Sequence, residues 1–166
     1  MNALPEVTIV DVDRAVADQL LELAKRDASP DEVAPPLGGP GWNLERTAWF
    51  FSYHHAAAAG LDGPAAEKSW AVFSDGDAAG SVRLKREPHA EALSAETGIW
   101  LGRSFRSRGI ARAALALVLE EARRAGLQRV TARTLAGNLS AQRLLEAAGA
   151  VLTPDDDGTV HAVVAL

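Results

Sequence analysis

The 166-residue chain contains no cysteine and a single tyrosine, Tyr53. The lack of cysteine excludes disulfide bonds, thiolate metal ligands and a cysteine nucleophile. Four histidines are present, but their spacing does not match a helical or finger-type metal site, so the sequence predicts no metal. No uninterrupted apolar run reaches the roughly 20 residues that span a bilayer, and no basic stretch precedes an apolar one at the N-terminus. We therefore expect a cytoplasmic protein with no membrane partner.

Length and composition fit one ordinary globular domain. Hydrophobic residues make up 48 % of the chain and charged residues 23 %, values that are usual for soluble proteins. A chain of this length can form one sizeable core, whereas two domains would each be small. We therefore predict one domain that covers residues 1–166.

The charge is distributed unevenly along the chain. From Arg103 to Arg143 there are nine arginines and two acids, a net charge of +7, so the rest of the chain carries −12. Arg106, Arg108 and Arg112 surround Gly109 at the predicted start of a helix, where the helix dipole is already positive. We expect an anion from solution to bind there. A pI near 5.3 argues against nucleic acid and favours a small polyanion.

Hydrophobic periodicity predicts a mixed α/β chain in the order β-α-α-β-β-β-α-β-α-β-β. Turn residues place one hairpin at Ser74–Asp77 and a second at Asp155–Gly158. A strand is predicted at Ser94–Gly102, and Asn43 and Asn138 are predicted to cap helices. The Pro/Gly-rich segment between the first two helices, residues 27–42, predicts a long loop.

A strand that enters a helix through RSRGIA, residues 106–111, leaves several main-chain N–H groups unpaired at the helix start. These donors and the helix dipole form an anion site, most naturally for phosphate. Gly109 would let a phosphate approach the main chain, and Ala111 keeps a neighbouring position small. The chain has no Gly-Lys-Ser/Thr and no Gly-x-Gly-x-x-Gly, so neither a nucleoside-triphosphate loop nor a dinucleotide loop is predicted.

Three motifs together resemble one known family. Arg106, Ser107, Arg108, Gly109, Ile110 and Ala111 fit Gln/Arg-x-x-Gly-x-Gly/Ala, the acetyl-CoA pyrophosphate loop of the GNAT N-acetyltransferase superfamily. ETGIWLG, residues 96–102, resembles that family's central strand in the version typical of the ribosomal-protein serine/alanine N-acetyltransferase branch. GNLSAQRLLEAAGA, residues 137–150, is similar to that branch's Asn-x-x-Ser-x-Arg-x-Leu-Glu-x-x-Gly-Phe helix.

The resemblance implies a fold and an activity. The implied GNAT fold is a mixed, mostly antiparallel, twisted α/β sheet of six or seven strands with flanking helices and a central splayed strand pair. The implied reaction is acetyl transfer from acetyl-CoA, the cosubstrate, to a primary amine by direct attack. Neither a metal nor a nucleic-acid partner is expected. The oligomeric state, monomer or homodimer, stays open.

The resemblance also implies how acetyl-CoA would be bound. Main-chain groups of Trp100 and Leu101 would pair with the pantetheine arm, and the Arg106–Ala111 loop would hold the pyrophosphate. Asn138 would contact the pantetheine or phosphate region, unless it only caps its helix. Arg143 could reach the adenosine end.

A proton acceptor is also needed, because the attacking amine must be neutral. Glu96 is the candidate, since it lies at the start of the strand that would carry the acetyl group. The alternative is that Glu96 is an ordinary strand residue paired with an arginine. His54, His55 and the acidic turn Asp155–Asp157 are secondary candidates for the base.

The chain departs from the family pattern at three positions. The motif serine falls on Ala141, and the closing phenylalanine is Ala150. Leu145 occupies the position where many relatives carry a tyrosine that protonates the departing thiolate. The ribosomal-protein branch also lacks that tyrosine, so activity is still expected, but no general acid is assigned.

The sequence suggests a class of acceptor and leaves two rival functions open. The acidic remainder of the chain would suit a cationic amine such as a peptide N-terminus, a polyamine or an aminoglycoside-like compound. Four aromatic residues of the second helix either face the core or line the acceptor groove: Trp49, Phe50, Phe51 and Tyr53. One rival is a non-catalytic CoA- or acyl-CoA-binding module of the same fold. The other is a basic-faced nucleic-acid or protein adaptor.

Overall fold

A computed structural model describes residues 3–89 and 93–166 of the chain. In chain order the elements are β1 (Val7–Asp11), α1 (Arg14–Asp27), α2 (Pro30–Val33), α3 (Leu44–Ala57), β2 (Glu67–Ser74), β3 (Asp77–Arg86), β4 (Ser94–Leu101), a 3-10 turn (Arg103–Phe105), α4 (Ile110–Arg124), β5 (Arg129–Leu135), α5 (Leu139–Ala147), β6 (Val151–Pro154) and β7 (Thr159–Ala165). The predicted order of elements is confirmed with one addition, because the short helix α2 lies inside the segment predicted as a loop.

The seven strands form one sheet in the order β1-β2-β3-β4-β5-β7-β6. Strands β4 and β5 pair in parallel, and each of the other five neighbouring pairs is antiparallel. The crossover between β4 and β5 runs through α4, as parallel neighbours require. The predicted fold class, a mixed and mostly antiparallel sheet with flanking helices, is therefore confirmed.

Two apolar cores cover the two faces of the sheet. In β2, Ala71 belongs to the core of α1 and α3, whereas its neighbours Trp70 and Val72 belong to the core of α4. This alternation follows from the two-residue period of a strand. In α4 the inward positions are apolar and spaced three or four residues apart, which buries one face of the helix: Ile110, Ala114, Leu115, Val118, Leu119 and Ala122.

Local turn and cap chemistry explains where the elements begin and end. Asp75 and Gly76, both with positive φ, close the β2–β3 hairpin as an Asp-Gly turn. The predicted caps are confirmed: Asn43 accepts the N–H of Arg46 at 2.9 Å, and Asn138 accepts the N–H of Ala141 at 3.1 Å. The acidic segment 155–157 forms part of the turn between β6 and β7.

Within residues 3–89 and 93–166, none of the helices combines the length and the apolar character needed to cross a membrane.

Candidate active site

The parallel strands β4 and β5 separate after three paired positions. The pairs are Ser94 with Arg129, Ala95 with Val130 and Glu96 with Thr131. Strand β4 continues to Leu101, where its other edge still pairs with β3, while β5 continues beside β7. The second half of β4 therefore presents one main-chain edge to an opening in the sheet. The predicted splayed strand pair lies here.

A cleft of about 220 Å³ fills the opening. The wall on one side comes from β4 and the wall on the other from β5 and the start of α5. The lining residues are Val82, Thr97, Gly98, Ile99, Leu115, Ala132, Arg133, Thr134, Asn138, Ala141, Leu144 and Leu145. A narrow, mainly apolar slot with an unpaired strand edge suits a linear chain that carries amide groups.

The first turn of α4 carries an unsatisfied set of donors. Gly109 precedes the helix with φ +79°, and no side chain caps the helix. Among the described residues, the N–H groups of Ile110, Ala111 and Arg112 find no hydrogen-bond acceptor. A Cβ on Gly109 would contact no atom within 4 Å, so the space in front of this turn is open. These donors and the helix dipole are suited to bind an anion.

Of the arginines around this turn, Arg106 has a carboxylate partner within the chain. Its guanidinium donates to the main-chain oxygen of Leu101 at 2.9 Å and to the Glu32 carboxylate at 3.0 Å. Partial burial acts to raise the pKa of Glu32, but the N–H of Ser29 and the Arg106 guanidinium outweigh it and lower that pKa below its ordinary value. Arg106 therefore has an anionic partner supplied by α2, and its contact with an anion from solution stays a prediction.

The loop that follows β4 is fastened to the end of α1. The hydroxyl of Ser104 donates to Asp27, and its main-chain N–H donates to the same carboxylate at 3.1 Å. These bonds, the hydroxyl first, lower the pKa of Asp27 despite its partial burial. Arg108 lies 5.7 Å from the ring centre of Phe105. The start of the basic loop is thus tethered to the end of α1.

Among the predicted cofactor residues, Asn138 lines the cleft, whereas Trp100, Leu101 and the Arg106–Ala111 loop lie outside its lining. Asn138 and Ala141 line it, and buried Leu145 lies at its wall, so no tyrosine hydroxyl is found at that position. The Trp100 side chain points instead into the core of α1 and α3 and toward a second cavity. Arg143 is exposed on α5 and lies outside the residues that line the cleft. Contacts of these residues with acetyl-CoA stay predictions.

A second cavity of about 660 Å³ lies on the α1 and α3 side of the sheet. Its floor is formed by residues of β2, β3 and β4, and its roof by α3 and α2. The lining residues are Glu32, Val33, Trp49, Phe50, Tyr53, His54, Glu67, Ser81, Val82, Arg83, Lys85, Glu96, Gly98, Ile99 and Trp100. We call it the acceptor cavity. It shares the lining residues Val82, Gly98 and Ile99 with the cleft, so both spaces border the middle of β4.

Aromatic residues of α3 form one wall of the acceptor cavity. Trp49 and Tyr53 stack with ring centres 5.1 Å apart, whereas Phe50 is 1 % exposed and belongs to the core. Phe51 lies outside the cavity and packs beneath the guanidinium of Arg14 at 3.8 Å. Of the four aromatic residues, Trp49 and Tyr53 therefore line the cavity, whereas Phe50 belongs to the core.

Glu96 lies on the floor of the acceptor cavity and is paired with an arginine. Arg83 donates through Nη2 to Glu96 Oε1 at 2.9 Å, and its Nη1 lies 3.8 Å from Oε2 of Glu67. The hydroxyl of Tyr53 donates to the same Glu67 oxygen at 2.7 Å. Burial, followed by Glu67, raises the pKa of Tyr53 well above its ordinary value, so this phenol stays protonated.

His54 and His55 have different surroundings. His54 is buried, its Nδ1 lies 2.8 Å from the Ser69 hydroxyl, and burial lowers its pKa to about 4. The imidazole is therefore neutral at physiological pH. His55 is exposed and lines a separate surface pocket beside Arg14.

The charges of the acceptor cavity are more balanced than the acidic remainder of the sequence suggests. Glu32 is paired with Arg106, and Glu67 and Glu96 share Arg83. Within the described part of the chain, Lys85 has no carboxylate partner. The cavity is therefore lined by ion pairs and aromatic rings.

Sequence reasoning missed several residues of this site. Arg83, Glu67 and Lys85 lie on β2 and β3, outside the motifs that carry the family resemblance. The sequence does indicate that Arg83 and Lys85 lie on the same face of their strand, because they are two residues apart. The face on which they meet Glu96 depends on the pairing of three strands.

Comparison with known proteins agrees with this geometry. Residues 10–151 match the family model described as Acetyltransferase (GNAT) domain. No curated protein matches the chain in sequence.

Solved structures share the fold at low identity. RimJ of Mycobacterium smegmatis, in complex with CoA-disulfide, is 20 % identical with a TM-score of 0.77, over 96 % of this chain and 81 % of that one. RimL, a ribosomal L7/L12 alpha-N-protein acetyltransferase in complex with coenzyme A, is 18 % identical with a TM-score of 0.72, over 96 % and 94 %. The GNAT domain of S. lividans PAT is 19 % identical with a TM-score of 0.71, over 98 % and 90 %.

RimJ and RimL are of the branch whose motifs the sequence resembles, and at these identities they show the fold. The family model spans most of the chain and includes the splayed strands, the α4 turn and the Asn138 helix. The chain belongs to the GNAT acetyltransferase family.

Proposed function

We propose that this protein is an acetyl-CoA-dependent N-acetyltransferase that transfers an acetyl group to a primary amine by direct attack. The observation that carries the proposal is that the cleft and the acceptor cavity share the lining residues Val82, Gly98 and Ile99. One space is suited to a linear acyl carrier and the other to an amine. The reacting atoms would approach each other at the middle of β4.

We expect acetyl-CoA to bind along the cleft and against the first turn of α4. The unsatisfied N–H groups of Ile110–Arg112 and the exposed arginines beside them would hold the pyrophosphate. The free edge of β4 past Glu96, including Trp100 and Leu101, would pair with the amides of the pantetheine arm. Asn138 lines the same cleft, and Arg143 is our candidate for the adenosine end. Two similar folds, RimL and the microcin C7 self-immunity acetyltransferase MccE, are described in complex with CoA and acetyl-CoA.

Glu96 is the proposed proton acceptor. It lines the acceptor cavity two residues before Gly98, which both spaces border. A carboxylate at that point can take a proton from a bound ammonium group and leave the neutral amine that attacks. Main-chain N–H groups of β4 would stabilise the oxyanion that forms.

The proposed acceptor is a peptide N-terminus or a small cationic amine. Trp49 and Tyr53 offer aromatic faces to a cation or to a flat side group. The cavity volume of about 660 Å³ accommodates a few residues of peptide or a molecule of similar size.

Binding and turnover can be tested separately. Acetyl-CoA should raise the melting temperature of the protein in the micromolar range, because a ligand that binds only the folded state stabilises it. Free thiol should then appear when acetyl-CoA is mixed with a panel of serine- and alanine-initiated peptides, spermidine and an aminoglycoside.

The outcomes distinguish the proposal from its rivals. Acetyl-CoA binding without thiol release from any amine would favour the non-catalytic acyl-CoA-binding module, for which Leu145 in place of a tyrosine is the structural argument. No stabilisation at millimolar acetyl-CoA would contradict the enzyme. Steeply salt-dependent RNA binding in that case would favour the adaptor.

A further inference from the structure

Arg83 occupies the space that Gly98 leaves open on β4. An added Cβ on Gly98 would lie 3.0 Å from Nε of Arg83 and 3.2 Å from its Nη2. Arg83 and Gly98 are direct partners across the β3–β4 ladder, so the guanidinium lies over the β4 main chain. Glycine weakens a strand interior, and here its presence lets another side chain approach closely.

The guanidinium is held between two carboxylates from different strands. Nη2 is 2.9 Å from Glu96 Oε1 on β4, and Nη1 is 3.8 Å from Glu67 Oε2 on β2. Glu67 is fixed in turn by the Tyr53 hydroxyl of α3 at 2.7 Å. Four elements thus determine one guanidinium position.

The location of this network argues for more than a stabilising role. The side chains of Arg83 and Glu96 are 32 % and 44 % exposed, so their ion pair contributes little to folding stability. Both line the acceptor cavity, and Gly98 borders the acceptor cavity and the cleft alike. A paired charge is therefore kept where the two proposed reactants would meet.

We propose that Arg83 is a positioning residue for acetyl transfer. This proposal rests on the proposed function. In it, Arg83 holds Oε1 of Glu96 so that Oε2 faces the acceptor. Within the described part of the chain, Oε2 has no hydrogen-bond partner. Glu67 and Tyr53 hold the opposite side of the guanidinium and prevent it from turning away from Glu96.

The acceptor nitrogen loses two protons during the reaction. Oε2 of Glu96 takes one proton from the bound ammonium group, and the neutral amine attacks the thioester carbonyl. A C–N bond forms and the C–S bond breaks. The thiolate takes the second proton lost by the nitrogen, and Glu96 returns its own proton to solvent.

Steady-state kinetics of four variants test this assignment: Arg83→Gln, Arg83→Lys, Glu96→Gln and the double variant Arg83→Gln/Glu96→Gln. Arg83→Gln should lower kcat about tenfold or more, because a proton acceptor loses its geometry. The Kd for acetyl-CoA should stay within about twofold, since Arg83 lies on the acceptor side. Arg83→Lys should recover part of the loss. The double variant should be no slower than Glu96→Gln alone, because residues that act through each other are not additive.

Arg86→Gln is the matched control. Arg86 lies on the same strand and pairs with Asp62 at 2.9 Å, away from both cavities. Its loss removes the same charge and should leave kcat unchanged. If Arg83→Gln fails to fold, as judged by its melting temperature, the same double-variant comparison is made with Arg83→Lys.

Two results would overturn the assignment: wild-type kcat in Arg83→Gln, or a double variant slower than Glu96→Gln by the full effect of the Arg83 substitution. If the wild-type protein releases no thiol from acetyl-CoA with any of the amines, the proposed function itself is wrong. Because Arg83→Gln is compared only after wild-type turnover is measured, the two failures are distinguishable.

Discussion

The Arg106 guanidinium and the Glu32 carboxylate form an ion pair of 3.0 Å that joins residues 74 positions apart in sequence. Arg106 begins the loop before α4, and Glu32 belongs to α2 on the roof of the acceptor cavity. The Ser29 N–H also donates to Glu32 at 3.0 Å, and it binds the same oxygen, Oε2, as Arg106, so two donors hold that oxygen. The pair connects the proposed pyrophosphate loop with the acceptor side of the molecule.

Replacing Glu32 with Gln should tighten CoA binding. Gln keeps an oxygen for the Ser29 N–H but removes the charge that competes with phosphate for Arg106. Because a half-exposed ion pair is worth at most about 1 kcal/mol, the Kd for CoA should fall about two- to fivefold at low salt. Isothermal titration calorimetry measures this change.

Glu45→Gln removes an equal charge from the first turn of α3 and serves as the control. It should leave the CoA affinity as it is. An unchanged Kd in Glu32→Gln would mean that the Arg106 side chain takes no part in phosphate binding, although the main-chain donors of α4 could still do so.

Gly109→Glu should block CoA binding at the start of α4. The side chain adds bulk and a negative charge in front of the unpaired N–H groups, and the Kd should rise at least tenfold. Gly109→Ala separates this effect from backbone strain, because both substitutions impose the left-handed φ of +79° on a side chain. The alanine variant should lose about 1 kcal/mol of stability and bind CoA within about threefold of wild type.

Gly126 provides a control at the opposite end of the same helix. It has the same φ of +79° and equally open surroundings. Gly126→Glu should melt at a lower temperature and bind CoA normally. Equal loss of CoA affinity in Gly109→Glu and Gly126→Glu would show that the α4 turn is not the phosphate site.

The sequence predicted those features that depend on neighbouring residues. The Asp75-Gly76 turn and the Asn43 and Asn138 caps each follow from local backbone chemistry. The helix α2 was missed although its signal is local, because Pro30 at the first helical position and Glu32 three residues after Ser29 are typical of a helix start.

Features that depend on strand pairing could not be predicted in the same way. Arg83 reaches Glu96 and Glu67 because β2, β3 and β4 are adjacent in one register, and no local pattern specifies that register. The sequence shows Gly98 as part of a motif. That this glycine leaves room for the Arg83 guanidinium is seen only when the partner strand β3 is known.

Removing the partner of buried Arg46 should destabilise the protein more than removing the Arg46 charge itself. Its side chain is 2 % exposed and donates to Asp31 at 2.8 Å, while its Nε and Nη1 have no hydrogen-bond partner within the described chain. Asp31→Ala should cost roughly 1–3 kcal/mol, because a buried guanidinium loses its hydrogen-bond partner while the 74 % exposed carboxylate is partly screened by solvent. Arg46→Met, which fills a similar volume without charge, should be close to wild type in stability.

Urea unfolding of Asp31→Ala, Arg46→Met and the double variant measures these effects. In the Arg46→Met background the Asp31 substitution should cost almost nothing, since its partner is gone. A single Arg46→Met variant less stable than Asp31→Ala would show that the guanidinium contributes through packing or through contacts other than this ion pair.

His54 should make the protein sensitive to mild acid. Its pKa in the folded protein is about 4 because of burial, below its ordinary value of 6.5. Between these pH values the unfolded chain binds a proton that the folded chain does not, so stability is full above pH 6.5 and falls as the pH drops toward 4. The loss at pH 5 should be roughly 2 kcal/mol. Carboxylates with lowered pKa, Asp27 and Glu32, add to acid sensitivity only at lower pH.

Urea unfolding at pH 7.5, 6.5, 5.75 and 5 tests this effect in His54→Gln and in His55→Gln. The His54 variant should show a flatter dependence of unfolding free energy on pH, whatever its stability at pH 7.5, because the group that titrates only in the unfolded chain is absent. His55 is exposed and adjacent in sequence, so its variant should keep the wild-type slope. An equally steep slope in His54→Gln would mean that the pKa of His54 in the folded protein is not lowered below its ordinary value.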